Sequence, residues 1–239
     1  MLTDKKQKLP WVEAFNKASQ TGRLATNQEL DDAFSINPKG FSSGAVWAST
    51  VLVHPKENGV FKKGEDIHDP YAAGGKHMVF LEKDIPISAF GKQGVSLIVE
   101  PNTIEEKGDE IIVHPREVTI LEESLQESGW GVLDAKTGLP KQVSEEKLKK
   151  IPEKDQRYLY RDSTQGVRPL VRVGYDDGDV ECGVDADRGF DVRFGIVVSD
   201  AIAGKNSATK NNFHPKTLAE LEAEVAEIQK EYDAKRLRN

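Results

Sequence analysis

The segment 64–77 (GEDIHDPYAAGGKH) brings together the residue types that most readily bind a metal ion. Its carboxylates and imidazoles are ligands that zinc, iron and manganese accept, and its glycine pair would let the segment fold back on itself. The candidate ligands are Asp66, His68, Asp69 and His77. Because their spacing follows no established metal signature, a solvated acidic loop is the competing interpretation.

A second group of candidate ligands lies in two aspartate-rich turns at 176–191. The side chains of Asp185, Asp187 and Asp191 could offer oxygen atoms to calcium. Aspartate is also a usual turn residue, and no glutamate closes the series as it does in a helix–loop–helix calcium site. Either group would support one functional hypothesis, a metal-dependent hydrolase whose cofactor is a divalent cation.

Other sequence patterns for catalysis are weak or absent. The segment 40–44 (GFSSG) matches the G-x-S-x-G turn of serine hydrolases, which needs a strand before the serine and a helix after it. Here a polar turn precedes the motif and a strand-like run follows, so a flexible turn is predicted. The sequence has no Walker loop, no dinucleotide-binding glycine pattern, no HExxH and no paired CxxC. No catalytic residue is assigned, and a non-enzymatic protein is favoured.

Period-two alternation dominates the stretch 167–199. Three apolar runs alternate with polar residues and are separated by turns rich in Asp and Gly. This pattern gives each strand one buried and one solvated face, and the turns are typical of hairpins. We therefore predict a three-stranded antiparallel meander, with Arg168, Arg172 and Arg193 on its solvated face.

Helix signals occur at the beginning of the chain. Pro10 opens a short predicted helix with Trp11 on its apolar stripe, and Thr26 with Glu29 forms a capping box for a second one. From 45 to 133, short runs rich in Val, Ile and Leu are separated by clusters of Gly, Pro, Asn and Lys. This pattern predicts successive strands.

One short motif occurs twice. Residues 53–57 (VHPKE) recur as 113–117 (VHPRE), each time after a β-branched run. A histidine before proline is held in extended geometry, so each copy is expected to end or kink a strand. A duplicated β unit and a coincidence are both open interpretations.

The chain ends in a predicted amphipathic helix at 215–239. Its apolar residues follow the spacing of a coiled-coil seam. The seam is formed by Leu218, Leu221, Val225, Ile228 and Tyr232. Because so short a helix is marginal alone in water, the seam must pack on the body of the protein or on another chain. Pairing with another chain is favoured.

Together these signals predict an α+β protein that is mainly antiparallel β, with about ten short strands. The strands are preceded by short helices and followed by one longer helix. The predicted organisation is a helical preface at 1–40, a β-rich body at 41–203, a polar connector at 204–214 and the terminal helix at 215–239.

Composition limits the possible partners. A net charge of −7 without a basic cluster argues against binding to nucleic acid or to an anionic membrane surface. The single cysteine, Cys182, excludes an internal disulfide, and no apolar run is long enough for a membrane span. Three scattered tryptophans, Trp11, Trp47 and Trp130, are predicted to pack in the core or in loops.

The sequence therefore favours a soluble, non-enzymatic structural or interaction protein, located in the cytoplasm or in a phage or virion particle. It is expected to assemble through the C-terminal helix and an exposed sheet face. The expected partner is a second copy of the chain or another protein, and no cofactor is expected.

Overall fold

In the computed structural model of the protein, the described residues are 9–36, 44–55, 59–69, 76–161, 166–174, 180–184 and 197–198. The chain divides into two units, Met1–Asp200 and Ala201–Asn239. All of the second unit lies outside the described residues, so the connector at 204–214 and the terminal helix at 215–239 stay predictions.

Twelve strands occur in the described part of the chain, and ten of them form one sheet. They are β1 (Arg23–Leu24), β2 (Gly44–His54), β3 (Ile67–His68), β4 (His77–Phe80), β5 (Ser96–Lys107), β6 (Glu110–Leu121), β7 (Gly129–Asp134), β8 (Leu139–Lys141), β9 (Gln156–Arg161), β10 (Gly166–Gly174), β11 (Val180–Val184) and β12 (Val197–Val198). The large sheet has the order β3-β4-β6-β5-β2-β10-β11-β9-β7-β8, and β1 pairs with β12. Only β4–β6 and β9–β11 are parallel among the described pairs. The prediction of a β-rich α+β protein with a mainly antiparallel sheet is confirmed.

The predicted three-stranded meander is only partly present. Strands β10 and β11 pair as an antiparallel hairpin, as the alternation predicted. The other side of β11 is occupied by β9, and β12, the described end of the third apolar run, pairs with β1 instead. The prediction for the third strand is therefore wrong. Alternation identifies a strand, but sequential strands do not always become neighbours.

The first helix, α1 (Trp11–Ala18), begins after a proline, as predicted. Trp11 is fully buried, and its indole Nε1 donates a hydrogen bond to the carbonyl oxygen of Ala48 in β2 (2.9 Å). In return, the indole Nε1 of Trp47 in β2 donates to the carbonyl oxygen of Leu9 (2.8 Å). The two bonds hold α1 and the residues before it against the sheet.

The second helix, α2 (Asn27–Ile36), begins with the predicted capping box. The backbone N–H of Glu29 donates to Oγ1 of Thr26 (3.1 Å), and the Glu29 carboxylate accepts from the backbone N–H of Thr26 (2.8 Å). Arg23 donates two further bonds to the same carboxylate, at 2.6 and 2.7 Å. The buried side of α2 is formed by Asn27, Leu30, Asp31 and Phe34.

Shorter helical turns connect the strands. Helix α3 spans Glu145–Leu148, and single 3₁₀ turns occupy Glu82–Asp84, Ile87–Ala89 and Glu153–Asp155. Among the described residues, no helix is long and apolar enough to cross a membrane.

The large sheet curls, so that β3 and β4 at one edge contact β10 in the middle. At this contact a β-carbon on Gly166 would lie 3.2 Å from Cα of Asp69, and the φ angle of Gly166 is +103°. Glycine tolerates both the close approach and the positive φ. The larger hydrophobic core combines side chains of α1 with those of β2, β4, β5, β6 and β10.

A second core forms beneath α2. Leu30 and Phe34 of the helix pack with Leu52 of β2, Ile98 of β5 and Leu170 of β10. Because the two cores share the strands β2, β5 and β10, these central strands are covered on both faces.

The repeated histidine–proline motif disturbs strand pairing in both copies. Pro55 comes directly after His54, the last residue of β2. Pro115 lies inside β6 opposite Pro101, where the register with β5 shifts. Each copy thus ends or distorts a strand, as expected. The duplication itself stays a prediction.

Candidate functional site

A cleft of about 1260 Å³ opens between α2, β7 and the segment 148–157. We call it the α2 cleft. Its lining residues are Gln28, Asp31, Asp32, Phe34, Ser35, Trp130, Leu133, Ala135, Leu148, Lys149, Ile151, Pro152, Glu153, Lys154, Asp155, Gln156 and Arg157. The segment is held in place by Gln156, whose Nε2 donates to the carbonyl oxygens of Ile151 (2.7 Å) and Leu148 (3.3 Å).

The deepest charged group lining the cleft is the carboxylate of Asp31. Arg157 donates to both of its oxygens, from Nε to Oδ1 at 2.9 Å and from Nη2 to Oδ2 at 3.3 Å. Nη2 of Arg172 lies 2.9 Å from Oδ1 of the same carboxylate. One buried carboxylate therefore joins a guanidinium of the cleft lining to a guanidinium inside the fold.

Arg172 is fixed by two more contacts inside the fold. Its Nε donates to Oδ1 of Asn27 (2.9 Å), and its Nη2 donates to the carbonyl oxygen of Gly138 (2.7 Å). Gly138 has a φ of +69°, and a β-carbon there would lie 2.9 Å from Nη2 of Arg172. Glycine is thus required both by the backbone conformation and by the approach of the guanidinium.

The prediction that Arg168 and Arg172 lie on a solvated face is wrong, because both side chains are buried. The side chain of Arg168 is 1% exposed and that of Arg172 has no exposure. The meander was predicted to have one wet face, but β10 lies in the middle of the sheet and both of its faces are covered. Arg168 forms an ion pair with the fully buried Asp69, with Nε and Oδ2 3.0 Å apart.

Three aromatic side chains lie on the neighbouring strands β7 and β9, and one of them, Trp130, also lines the cleft. Trp130 of β7 is opposite Tyr158 of β9 in register, with their rings edge to face and 5.4 Å apart. Tyr160 lies two residues further along β9 and so on the same face of the sheet. Trp130 is 48% exposed and Tyr160 39%. We call Trp130, Tyr158 and Tyr160 the aromatic face.

The prediction that all three tryptophans pack in the core or in loops is confirmed for Trp11 and Trp47, which have no exposed surface. It is wrong for Trp130, which lies on a strand and is half exposed.

Charges of both signs surround the cleft. Asp32 and Glu153 are exposed acidic residues of the lining, and Lys149 and Lys154 are exposed basic ones. Asp32 accepts a hydrogen bond at Oδ1 from Nε2 of Gln28 (3.0 Å). The rim is therefore mixed in charge rather than a single-sign surface for an ionic ligand.

The carboxylate of Glu100 in β5 is half-buried and lies near the start of α2. It accepts hydrogen bonds from the hydroxyls of Ser49 (2.8 Å) and Thr50. Burial raises the pKa of Glu100 to about 7, although these two hydrogen bonds and the charges of Arg116 and Arg23 act to lower it. Glu100 therefore changes charge near neutral pH.

A serine–histidine contact occurs in the core. Nδ1 of His54 lies 2.7 Å from Oγ of Ser96, and Oγ of Ser96 donates to Oγ of Ser124 (2.8 Å). Such a pair can activate a nucleophile where a substrate can reach it. Here all three side chains are completely buried, so the contact serves packing of the interior.

The structure places the predicted metal ligands of the segment 64–77 in separate contacts. Oδ1 of Asp66 accepts from the backbone N–H of Glu82 (2.7 Å), and Nδ1 of His77 lies 2.9 Å from the backbone oxygen of Asp69. His68 is half exposed, 4.0 Å from Oε1 of Glu110.

Among the described residues, no group of three or more His, Cys, Asp or Glu side chains is arranged to hold a metal ion. Asp185, Asp187 and Asp191 lie outside the described residues, as does the seam of Leu218, Leu221, Val225, Ile228 and Tyr232. Metal binding, metal-dependent hydrolysis and the terminal seam stay predictions.

The sequence contains a signal for the buried contacts of Asp31, but hydrophobic periodicity alone does not reveal it. Asn27 and Asp31 lie at helical spacing with Leu30 and Phe34, so an apolar helix face carries two polar groups. Buried polar groups need partners, and Arg172, which lies in an apolar strand, is the partner of both. The chain matches no known protein family, no curated protein and no solved structure.

Proposed function

We propose that this chain is a non-enzymatic interaction protein that assembles with a second copy of itself through the aromatic face and the α2 cleft. The observation that carries the proposal is the half-exposed Trp130. Trp130 belongs both to the aromatic face and to the lining of the cleft, which contains further apolar side chains.

The aromatic side chains support the proposed assembly because such residues are common in protein interfaces. Tryptophan and tyrosine supply large contact areas with few rotatable bonds, and they are enriched among the residues that dominate binding energy. The adjoining cleft combines apolar side chains with exposed charged ones, and protein interfaces likewise combine apolar contacts with polar groups around them.

The mixed charge of the rim favours a second copy as the partner. In a two-fold contact the same patch lies on both sides, so a patch of one sign would repel itself. The α2 cleft carries Asp32 and Glu153 beside Lys149 and Lys154, so acidic groups of one copy can face basic groups of the other. The predicted seam at 215–239 is proposed as a further contact of the same assembly.

The assembly is tested with Trp130→Ala, measured by light scattering over a dilution series. Truncating an interface tryptophan should weaken the dimer by about 2 kcal/mol or more, or roughly 30-fold in the dissociation constant. The control is Ile87→Ala, since Ile87 is 84% exposed and does not line the cleft. A protein that is monomeric throughout, or a dimer that responds equally to both variants, would contradict the proposal.

A further inference from the structure

The end of α2 carries an exposed isoleucine on the border of the α2 cleft. Ile36, the last residue of the helix, is 85% exposed and directly follows Ser35, a residue of the cleft lining. One helical turn earlier, Asp32 also lines the cleft, so Ile36 is its neighbour on the helix surface. A large apolar side chain therefore faces solvent next to a cleft that has apolar side chains of its own.

The parts of the cleft lining that lie outside α2 offer apolar contacts for such a side chain. Leu133 of β7 and Leu148 and Ile151 of the segment 148–157 are half-buried and line the cleft. Half-buried apolar side chains leave water when another apolar side chain packs on them, and this burial is favourable. Ile36 of the same copy does not provide that contact, because most of its surface is exposed.

We infer that Ile36 of each copy packs into the α2 cleft of the other copy, against Leu148. The inference rests on the proposed assembly and names the contact by which the two copies recognise each other. In a two-fold contact, a residue of one copy that meets a second residue of its partner is matched by the reverse contact. Because Ile36 and the cleft lie side by side, a two-fold axis between them brings each isoleucine over the other cleft.

The charges beside the two apolar residues are complementary. Asp32 lies four residues before Ile36 on α2, and Lys149 directly follows Leu148. Both charged side chains are exposed lining residues of the cleft. When Ile36 of one copy packs on Leu148 of the other, Asp32 and Lys149 of different copies come together with opposite charges. The apolar contact and the ionic contact thus support the same arrangement.

Exposure alone does not identify a contact residue, since single exposed apolar residues are ordinary on protein surfaces. Ile87 is 84% exposed in the 3₁₀ turn Ile87–Ala89 and does not line the cleft. Ile36 has the same residue type and nearly the same exposure, but it lies on the cleft border. Ile87 is therefore a matched control for Ile36.

The test mixes two variants, each of which removes one side of the contact. Ile36→Ser removes the isoleucine, and Leu148→Asp makes the lining of the cleft polar. Each homodimer loses both reciprocal contacts, whereas a mixed dimer keeps the one between the intact Ile36 and the intact Leu148. At about tenfold per contact, the dissociation constant should rise about a hundredfold for each variant alone and about tenfold for the mixed dimer.

Light scattering at one total concentration should therefore give a higher mean mass for the mixture than for either variant alone. Ile87→Ser should dimerise like the wild type. A thermal melt shows whether Leu148→Asp keeps the fold. If it does not, Ala135→Trp takes its place, because this substitution fills the cleft from an exposed position of the lining.

The outcomes separate this inference from the proposed assembly. An Ile36→Ser variant that dimerises like the wild type, or a mixture with no higher mean mass than its components, overturns the inference. The proposed function survives either result as long as Trp130→Ala weakens the dimer. A wild-type protein that stays monomeric overturns both.

Discussion

Two buried arginines lie four residues apart on β10, and they have different surroundings. Arg168 meets one carboxylate, Asp69, and both side chains are closed off from water. Arg172 shares its carboxylate, Asp31, with Arg157, whose side chain is 12% exposed. The first contact joins β10 to the end of β3 where the sheet curls, and the second joins β10 to the lining of the α2 cleft.

The difference shows how one strand can serve both the fold and a surface. A sealed ion pair contributes to the structure alone, because nothing outside can reach it. Asp31 contacts both the buried Arg172 of β10 and the partly exposed Arg157, so it connects the strand with the lining of the cleft. We therefore expect changes at Arg168 to affect stability, and changes at Arg157 to affect mainly the cleft.

The largest expected effect is that of Arg168→Met. It leaves Asp69 buried without its charged partner, which should lower the free energy of unfolding by about 3–5 kcal/mol in urea denaturation. The double variant Arg168→Met with Asp69→Leu removes both charges and should recover much of that loss. A single variant as stable as the wild type would show that the pair does not hold the curled sheet.

A smaller effect is expected for Arg157→Ala. Asp31 keeps Arg172 as a partner, and the lost bonds are partly exposed, so the free energy of unfolding should fall by only about 1–2 kcal/mol. Dimerisation should weaken at the same time, because the cleft lining changes. Lys76→Ala breaks an exposed pair with Glu106 and should change stability by less than about 1 kcal/mol. A loss at Arg157 as large as that at Arg168 would remove the contrast between the two sites.

The features that were predictable from the sequence depend on residues close together in the chain. Thr26 and Glu29 of the capping box are three positions apart, and the hairpin of β10 and β11 follows from alternation across one turn. The contacts of the candidate site have a different origin. Arg172 and Asn27 are 145 positions apart, and Arg157 and Asp31 are 126 apart.

Long-range contacts of this kind depend on which strand neighbours which, and alternation does not determine that. The same limit explains why Arg168 and Arg172 were predicted to face solvent. Their strand has the pattern of a one-sided sheet, but the helices and the curl of the sheet cover both sides. The exposure of Trp130 could not be predicted either, because an aromatic residue in a strand can lie in the core or at the surface.

The proposed assembly is tested most directly by acrylamide quenching of tryptophan fluorescence over a dilution series. Trp11 and Trp47 have no exposed surface, so the quenchable emission should come from the half-exposed Trp130. Quenching should decrease as concentration rises and the dimer forms, and Trp130→Phe should remove the concentration-dependent part. Quenching that stays constant across concentrations at which light scattering shows a dimer would place the interface elsewhere and contradict the account.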